Sequence, residues 1–413
     1  MKHCVVIPTF WTRSRGAAAD RLVNVYDHPT AVDGPTPLPT CLKSLQGLSN
    51  LGKVIVLVAA TDASCEHEAE DRVCDIVKEF PGIDTMVFGP ADLGSLHRRL
   101  EQLEFSDMVA GVSLTGYGAV RNAGLVVAAT LGAETCFFLE DDAIVTSPSF
   151  LRVGAEGLGM KTPEGRVLFA KTGYYVDGQG RYESSEESPW YDRFWRQAEE
   201  YNRAMRTVSR PPRIKPTNLA FGGCLALHRD IYCNVSFDPW VLRGEDVDYV
   251  LNARMHGADV FMDNEWKIVH RPPEPPSEAL QFRQDVYRFI YEHRKLEFAR
   301  SQIDLRRVTP GSLRPYPGDF VGGSVTWRAT VTSLLRALAG REPSTHLAVA
   351  RVALRDAATY ARLNCDNYFA FQRRWPILTE RLWEDVALGA LFSGDRRVDR
   401  SAITGRFPVV RGK

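Results

Sequence analysis

Three consecutive carboxylates directly follow one apolar segment. Glu140, Asp141 and Asp142 come after Cys136-Phe-Phe-Leu. Like charges at contact distance raise one another's pKa values and destabilise the fold unless a positive group lies among them. A divalent cation is such a group, and carboxylate oxygens suit Mg²⁺ or Mn²⁺, which complete their shells with water and phosphate oxygens. The alternative is a solvated acidic turn, or an N-cap for a helix near Ser149.

A second acidic pair, Glu245 and Asp246, stands at the start of a predicted helix. The helix dipole stabilises ionised carboxylates there, and this preference places acids at helix starts even without a function. Upstream, Gly222 and Gly223 lack side chains and would let the backbone approach a ligand. His270 follows an apolar segment and is either a metal ligand or a structural histidine.

Two predicted strands end in polar residues. The first strand runs into Pro8-Thr9, which ends strand pairing and turns the backbone outward, where a base or ribose could lie. The second is followed by Thr61-Asp62. Asp62 accepts a hydrogen bond either from a nucleotide or from the backbone at the start of the next helix.

The elements that carry these residues alternate short β-branched runs with longer amphipathic stretches, a pattern that predicts an α/β domain with crossover connections. The predicted strands are His3–Ile7, Lys53–Ala60, Asp84–Phe88, Glu134–Glu140, Arg166–Tyr174, Asn218–Leu227 and Ala258–Asp263. The predicted helices are Pro39–Gly47, Ser64–Glu79, Tyr117–Leu131, Ser149–Gly159, Tyr191–Thr207 and Glu245–His256. In such sheets ligands bind outside the carboxyl ends of the strands.

The proline-rich stretch Arg271–Pro276 stops regular structure and predicts a domain boundary. Beyond it the pattern predicts helices and no convincing strand. The predicted helices are Ser277–Gln302, Trp327–Ala339, Ser344–Phe371 and Pro376–Phe392.

One of these helices carries an apolar stripe at helical spacing. Its members are Trp327, Val331, Leu334, Leu335 and Leu338. The stripe predicts a helix that faces the core, with Arg328 and Arg336 on its outer side. An interfacial membrane helix has a similar pattern, so peripheral membrane contact is the alternative.

Composition is that of a folded globular protein. Of 413 residues, 44% are apolar and 25% are charged, which excludes a disordered, collagenous or coiled-coil chain. The eight cysteines are irregularly spaced, so we expect reduced thiols rather than disulfides or a zinc cluster. No apolar run reaches the roughly 18 residues of a membrane-spanning helix. The N-terminus has no secretory apolar segment, so we expect a cytoplasmic location.

A net charge of zero hides an asymmetry between the two parts of the chain. Residues 1–270 carry 27 Lys and Arg against 36 Asp and Glu, whereas residues 271–413 carry 24 against 15. The acidic part agrees with metal chemistry on carboxylates. The basic part predicts an anionic partner, a membrane surface, or docking onto the acidic part.

The order of these segments resembles glycosyltransferases of the GT-A fold over residues 3 to 275. The matching segments are VVIPTF, LPTCLKSL, KVIVLVAATDAS, GAVRNAGLVVAA, FFLEDDAIV, FGGCLALHR and RGEDVDYVLNARMHGADV. The resemblance implies a Rossmann-like, mostly parallel sheet flanked by helices at 1–275, followed by an all-α region at 276–413. The GED segment is similar to inverting galactosyltransferase-like members.

The resemblance also implies a reaction: metal-dependent, inverting transfer of a hexose or N-acetylhexosamine from a nucleoside-diphosphate sugar, with UDP favoured. It implies that Asp142, Glu140 and His270 hold Mn²⁺ or Mg²⁺. Asp246 would be the catalytic base, with Glu245 near the acceptor. The implied donor-binding residues are Pro8, Thr9, Asp62, Arg121, Asn122 and Asp141, and the implied acceptor-binding residues are Gly222, Gly223 and Trp240.

The acceptor stays open: a small molecule, a glycan, a lipid-linked sugar or a peptide, but no nucleic acid. Two departures from the family pattern are a long insertion, Trp11–Pro37, and Thr61-Asp62 in place of paired aspartates. The aromatic-rich segment Tyr174–Pro216 suits sugar stacking, an acceptor lid or core packing. Two other functions remain, a nucleotidyltransferase and a non-catalytic carbohydrate-binding protein. No Gly-rich basic phosphate loop follows the first strand, which weakens the nucleotidyltransferase hypothesis.

Overall fold

The computed structural model describes residues 2–13, 26, 29–183, 188–271 and 277–393. Its strands are β1 His3–Thr12, β2 Thr30–Ala31, β3 Lys53–Ala60, β4 Thr85–Phe88, β5 Thr135–Phe138, β6 Ala143–Ile144, β7 Ala170–Val176, β8 Ile214–Pro216, β9 Leu225–His228 and β10 Val260–His270. Its helices are α1 Leu38–Leu45, α2 Glu66–Lys78, α3 Pro90–Gln102, α4 Tyr117–Thr130, α5 Phe150–Ala155, α6 Gln197–Met205, α7 Arg229–Tyr232, α8 Glu245–Met255, α9 Glu278–Ala299, α10 Val325–Leu338, α11 Pro343–Arg351, α12 Ala357–Leu382 and α13 Val386–Ser393. The predicted proline-rich boundary falls largely on 272–276, outside the described residues.

The described strands form one sheet in the order β4-β3-β1-β5-β9-β7-β10-β6, with β2 beside β1 and β8 beside β10. Strands β4, β3, β1 and β5 are parallel to one another, and β7 is parallel to β10. Strand β9 runs antiparallel to both of its neighbours, β5 and β7. The predicted α/β class with a mostly parallel sheet is therefore confirmed, with β9 as an internal exception.

The direction of β9 matters for the site. Leu225, its first residue, pairs with Phe138, the last residue of β5. Because the two strands are antiparallel, the residues just before β9 lie beside those just after β5. Gly222 and Gly223 are thereby brought to the carboxyl edge of the sheet, next to Glu140.

Both faces of the sheet are covered by apolar packing. Along β1, Val5 and Ile7 belong to one buried apolar cluster, whereas Cys4 and Val6 belong to a second. This alternation is what a strand buried on both faces requires. All eight cysteines are free thiols, as predicted.

The C-terminal helical region packs against the sheet rather than standing apart. Helix α12 contributes Phe371 and Trp375 to the same apolar cluster as Val6 of β1. Pro376 lies inside α12, so the predicted helix break before it is wrong. Pro376 removes one backbone hydrogen bond, but Trp375 and Leu378 on either side are fully buried, and this packing holds the helix together.

The predicted orientation of α10 is wrong as well. Trp327 is 56% exposed and Leu338 is 81% exposed, whereas Arg336 is 7% exposed. Arg336 pairs with Asp192, Nε to Oδ1 at 2.6 Å, and lies over the ring of Phe282. The helix buries its small and hydroxyl side chains together with this ion pair. Of its apolar stripe, Trp327, Leu334 and Leu338 are exposed, and Val331 and Leu335 are partly buried. Peripheral membrane contact of this region stays a prediction. No helix among the described residues combines the length and hydropathy needed to cross a bilayer.

A buried network of charged side chains connects α9 with α8. Lys295 Nζ of α9 lies 2.7 Å from Asp238 Oδ2 and 2.7 Å from Asp248 Oδ1, and none of the three side chains is exposed. Tyr291, one turn earlier on α9, donates a hydrogen bond to Asp238 at 2.9 Å. Removing one partner of such a network leaves an uncompensated buried charge.

We expect Lys295→Met to lower the free energy of unfolding by about 3–5 kcal/mol, because two buried carboxylates lose their cation. Urea denaturation followed by circular dichroism measures the change. Lys78→Met is the matched control, because it removes an exposed partner of Asp75 and should leave the midpoint in place. Equal midpoints for the two variants would contradict the role given to Lys295.

Candidate active site

The acidic run lies at the carboxyl edge of the sheet because β5 ends at Phe138, just before it. The short strand β6 then pairs antiparallel with the end of β10, with Ala143 opposite His270. This register places His270 beside Asp142. Two segments more than a hundred residues apart in sequence thus meet through backbone pairing.

Glu140, Asp142 and His270 form a group that could hold a metal ion. One ligand atom from each lies within 4.8 Å of the other two. His270 Nε2 is 3.3 Å from Glu140 Oε2 and 3.3 Å from Asp142 Oδ1. Two carboxylates and one imidazole are a donor set that suits a divalent cation.

Asp142 supplies a further sign that the site fits a cation. Its Oδ1 atom is buried, and its contact with His270 Nε2 at 3.3 Å lacks good hydrogen-bond geometry. A buried carboxylate oxygen held only by such a contact is poorly satisfied. A cation between the three side chains would satisfy it.

Tyr175 holds two of the three candidate ligands in place. Its hydroxyl donates to Glu140 Oε2 at 2.7 Å and accepts from the backbone amide of Gly223 at 2.5 Å. Its ring stacks on the imidazole of His270, with centroids 4.2 Å apart. The sequence placed Tyr175 only in an aromatic-rich segment, and its position on β7 beside β10 decides this role.

The charges of the three candidate ligands depend on one another. Burial opposes a charge on His270, but the carboxylates of Asp142 and Glu140 outweigh it and raise its pKa to about 10. Burial would likewise raise the pKa of Glu140, but His270 and then Arg121 hold it at about 2. Without a metal, a protonated imidazole therefore lies between two carboxylates.

Asp141 faces away from this group. Its Oδ2 accepts a hydrogen bond from the Thr9 hydroxyl at 2.6 Å. Burial and the charge of Asp142 raise the pKa of Asp141 to about 7, against the effect of Thr9. Pro8 and Asp141 both line the cavity described next, so these predicted donor-binding positions lie at the site.

One cavity of about 400 Å³ contains both acidic elements. Glu140, Asp142 and His270 line it together with Asp246. The Asp246 carboxylate is held by backbone amides: Gly222 N donates to Oδ2 at 3.1 Å, and Val247 N donates to Oδ1 at 2.7 Å. The base candidate and the metal-binding candidates thus share one space.

Several charged groups act on Asp246. Burial and then the negative charge of Glu245 raise its pKa to about 6. Arg121 and Arg288 oppose the shift, and Glu140 adds to it. At neutral pH Asp246 is therefore mostly ionised, with a pKa closer to neutrality than an ordinary aspartate has.

Arg121 joins the acidic run to the start of α8. Its Nε donates to Glu245 Oε1 at 2.6 Å, and its Nη1 donates to the carbonyl of Gly222 at 3.0 Å. Its Nη2 lies 3.5 Å from Glu140 Oε1. Glu245 is buried in this pair and also lines the cavity beside Asp246, and its place near the acceptor stays a prediction.

Gly222 and Gly223 lie against protein side chains of the site, and their predicted contact with the acceptor stays a prediction. A Cβ at Gly222 would overlap Arg121 Nη2, and a Cβ at Gly223 would lie 2.9 Å from the Tyr175 hydroxyl. Both glycines therefore make room for protein side chains, and neither lines the cavity among the described residues.

Four other predicted binding residues, Thr9 among them, lie outside the described lining of this cavity. Asp62 caps the short helix after β3 by accepting from Ser64 N at 2.8 Å, the alternative given for it above. Asn122 is fully buried in α4 and bonds backbone groups of Gly111 and Phe237. Trp240 packs edge-on against Phe371 of α12.

The structure adds residues that the sequence motifs did not reveal. Arg243 and Tyr201 line the cavity, and so do Asp285, Arg288 and Tyr316 from beyond the predicted boundary. An arginine and an aspartate on one face of α9 give no signal at the level of sequence. Only the packing of α9 against α8 shows that they reach the site.

Comparisons with known proteins return similarity in fold. No family model matches the chain, and no curated protein sequence matches it. Among solved structures, the mannosyltransferase PcManGT from Pyrobaculum calidifontis, in complex with GDP-Man and Mn²⁺, is 12% identical with a TM-score of 0.40, over 94% of this chain and 86% of that one. GalNAc-T7 with UDP, GalNAc and Mn²⁺ is 11% identical with a TM-score of 0.38, over 79% of this chain and 56% of that one.

Both are glycosyltransferases. At these identities and TM-scores, neither assigns a family or an activity to this chain.

We expect Asp142→Asn to weaken Mn²⁺ binding by about 100-fold or more, because it removes a charged ligand from a group of three. Isothermal titration with Mn²⁺ measures this without any substrate. Asp141→Asn is the matched control. It should change the affinity only about threefold, because Asp141 is outside the group of three ligands and its Oδ2 accepts from the Thr9 hydroxyl. Similar losses in both variants would remove Asp142 from the metal site.

Tyr175→Phe should weaken Mn²⁺ binding by about 10-fold, since it removes the hydroxyl that orients Glu140 but keeps the ring against His270. Tyr182→Phe is the control. Tyr182 packs on Tyr174, the neighbour of Tyr175 on β7, and is not part of the described cavity lining. An unchanged affinity in Tyr175→Phe would show that Glu140 does not need this support.

Proposed function

We propose that this protein transfers a sugar from a nucleoside-diphosphate sugar to an acceptor nucleophile, with a divalent cation held by Glu140, Asp142 and His270. One observation carries the proposal: these three side chains and Asp246 line the same cavity of about 400 Å³. In this reaction the cation holds the diphosphate of the donor, and the carboxylate base acts on the acceptor. The cation site and the base must therefore lie close to the same sugar. Shared lining of a single cavity meets that requirement.

Glu140, Asp142 and His270 are the residues that would hold the cation. When bound, it supplies Lewis acidity that neutralises the charge developing on the leaving diphosphate. Tyr175 and Arg121 keep Glu140 ionised and oriented. The buried Asp142 Oδ1, whose contact with His270 Nε2 at 3.3 Å lacks good hydrogen-bond geometry, supports this assignment.

Asp246 acts as the general base. As the acceptor oxygen attacks the anomeric carbon, its proton passes to the Asp246 carboxylate. The bond from the anomeric carbon to the diphosphate oxygen breaks, and its electron pair leaves with the diphosphate. Attack from the face opposite the leaving group inverts the anomeric configuration. The amides of Gly222 and Val247 fix the carboxylate, so only a small reorganisation is needed.

Aromatic side chains near the end of β1 are suited to a nucleobase. Phe10 and Tyr117 line the cavity, with ring centroids 5.1 Å apart. Tyr26 packs on both rings, at 4.2 Å from Phe10 and 5.1 Å from Tyr117. We propose these rings, in place of Asp62, as the base-binding platform. We propose UDP as the nucleotide and a hexose or N-acetylhexosamine as the sugar.

The direct test is a screen of UDP- and GDP-sugars for Mn²⁺-dependent turnover, with the released nucleotide identified. We expect a nucleoside diphosphate as product. Release of pyrophosphate from a nucleoside triphosphate would favour the nucleotidyltransferase. Absence of metal-dependent turnover of every donor would favour the carbohydrate-binding protein.

Asp246→Asn should lower kcat by about 10²–10⁴-fold, because the acceptor proton loses its base. The affinity for the nucleoside diphosphate with Mn²⁺ should stay close to that of the unchanged protein. Asp230→Asn, exposed on the short helix α7, is the control and should keep full activity. Undiminished turnover in Asp246→Asn would shift the assignment to a retaining reaction.

The rate should also depend on pH through Asp246. A raised pKa of about 6 means that the base is protonated below this pH. With saturating substrates, kcat should fall about tenfold per pH unit on the acid side of pH 6 and level off above it. The residual activity of Asp246→Asn should lack this limb. A limb of the same shape in that variant would assign it to another group.

A further inference from the structure

A second cavity adjoins the one just described. It measures about 340 Å³, and the two share Gln197, Tyr201, Arg243, Asp285 and Tyr316 as lining. The shared wall comes from α6, from the loop before α8 and from the C-terminal helical region. The two cavities therefore form one cleft with two compartments, only one of which contains the metal-binding candidates.

The second compartment is polar, with aromatic faces. Asp285 accepts from Arg243 Nη1 at 3.0 Å and from Gln197 Nε2 at 3.1 Å, which fixes the shared wall. Trp195 and Phe282 contribute ring surface to the lining. Hydrogen-bonding groups beside aromatic rings suit a hydroxyl-bearing ligand better than an alkyl chain.

Arg288 lies where the two compartments meet. Its Nε donates to Glu292 Oε1 at 2.8 Å, and its Nη1 donates to the Tyr316 hydroxyl at 3.4 Å. The side chain is only 5% exposed, and it lines the first cavity. Its Nη2 is buried and has no hydrogen-bond partner among the described residues. A buried guanidinium donor without an acceptor is costly, so an acceptor atom from a ligand would satisfy it.

The start of α8 lies beside Arg288. Gly244, in the left-handed region with φ of 69°, is the residue just before α8. A Cβ there would overlap the guanidinium of Arg288. The glycine thus lets Arg288 approach the amino end of an eleven-residue helix, whose first turn already carries Glu245, Asp246 and Asp248. An anion bound at this point would therefore depend on Arg288 rather than on the helix dipole.

We propose that Arg288 binds an anionic group, a phosphate or a carboxylate, carried by the acceptor, and that the second compartment holds the rest of that acceptor. The inference rests on the proposed glycosyl transfer, in which Glu140, Asp142 and His270 take the donor diphosphate. Arg288 lies instead on the side of Asp246, which must contact the acceptor. Since Nε and Nη1 already donate to Glu292 and Tyr316, Nη2 is the nitrogen that can donate to an oxygen of a phosphate or a carboxylate. The acceptor class is therefore a small polyol or sugar that carries one anionic group.

The test is anion binding to the full chain with the donor site filled. The protein is saturated with Mg²⁺ and with UDP or GDP, whichever binds, and is then titrated with inorganic phosphate and separately with acetate. We expect binding of at least one anion. Tighter binding of phosphate indicates a phosphorylated acceptor, and tighter binding of acetate indicates a carboxylated one. If neither anion binds, the proposal is wrong. If the nucleotide abolishes the anion binding that is seen without it, Arg288 belongs to the donor site, and the proposal is wrong as well.

Variants assign the binding to Arg288. Arg288→Met should weaken anion binding at least tenfold. Arg300→Met removes the same charge from the exposed C-terminal end of α9 and should leave it unchanged. Arg288→Met leaves the buried carboxylate of Glu292 without its cation. The double variant Arg288→Met/Glu292→Gln removes both charges and should show the same loss of anion affinity. Equal binding in the folded double variant and the unchanged protein would overturn the proposal.

Failure of this inference differs from failure of the proposed function. Metal-dependent donor turnover with no Arg288-dependent anion binding would reject only the anionic acceptor. Absence of donor turnover would reject the glycosyl transfer, whatever the anion titration shows.

Discussion

The buried guanidinium of Arg121 sets the distance between the two acidic elements of the site. A buried cation is tolerated only when its partners are fixed and well oriented. Here they are Glu140, just after β5, and Glu245, at the start of α8, with the carbonyl of Gly222 between them. Because one side chain contacts all three segments, the candidate metal ligands and the candidate base cannot shift independently. Glu245 is thus a structural partner that positions its neighbour Asp246.

The C-terminal helical region completes this site. Helix α9 supplies Asp285 and Arg288 to the cavity, and Lys295 fastens the same helix to α8 through buried carboxylates. The excess of arginine in this part of the chain has a partial explanation in these contacts. Arg336 is buried and pairs with Asp192, and Lys295 is buried between Asp238 and Asp248, so both cations of the basic part contact carboxylates of the acidic part. Docking onto the acidic part accounts for some of the charge asymmetry, and the exposed apolar residues of α10 are a separate feature.

Local patterns predicted most elements of the sheet half because a strand buried on both faces is apolar and a helix with one buried face has periodic apolar residues. Strand β3 has the predicted bounds, and β1 continues to Thr12, past its predicted end. Helix α3 was not predicted, although Pro90 in its first turn and Asp92, which accepts from Gly89 N at 3.1 Å, mark its start. The error at α10 arose because an apolar stripe shows which residues share a face and not which face is buried. There the Arg336–Asp192 pair decided the orientation.

The candidate site also has features that the sequence determines and features that depend on the tertiary structure. The sequence alone determined that Glu140, Asp142, His270 and Asp246 are candidates for chemistry, because carboxylates at strand and helix ends are exposed to ligands. It also determined the α/β class through the periodicity of its apolar residues. Only the tertiary structure decided which candidates meet. Strand β9 runs antiparallel and carries its preceding glycines to Glu140, β6 pairs with β10 and carries His270 to Asp142, and α9 packs on α8 and carries Arg288 to the cavity. These contacts join residues far apart in the chain, and no local pattern encodes which strand or helix will be the neighbour.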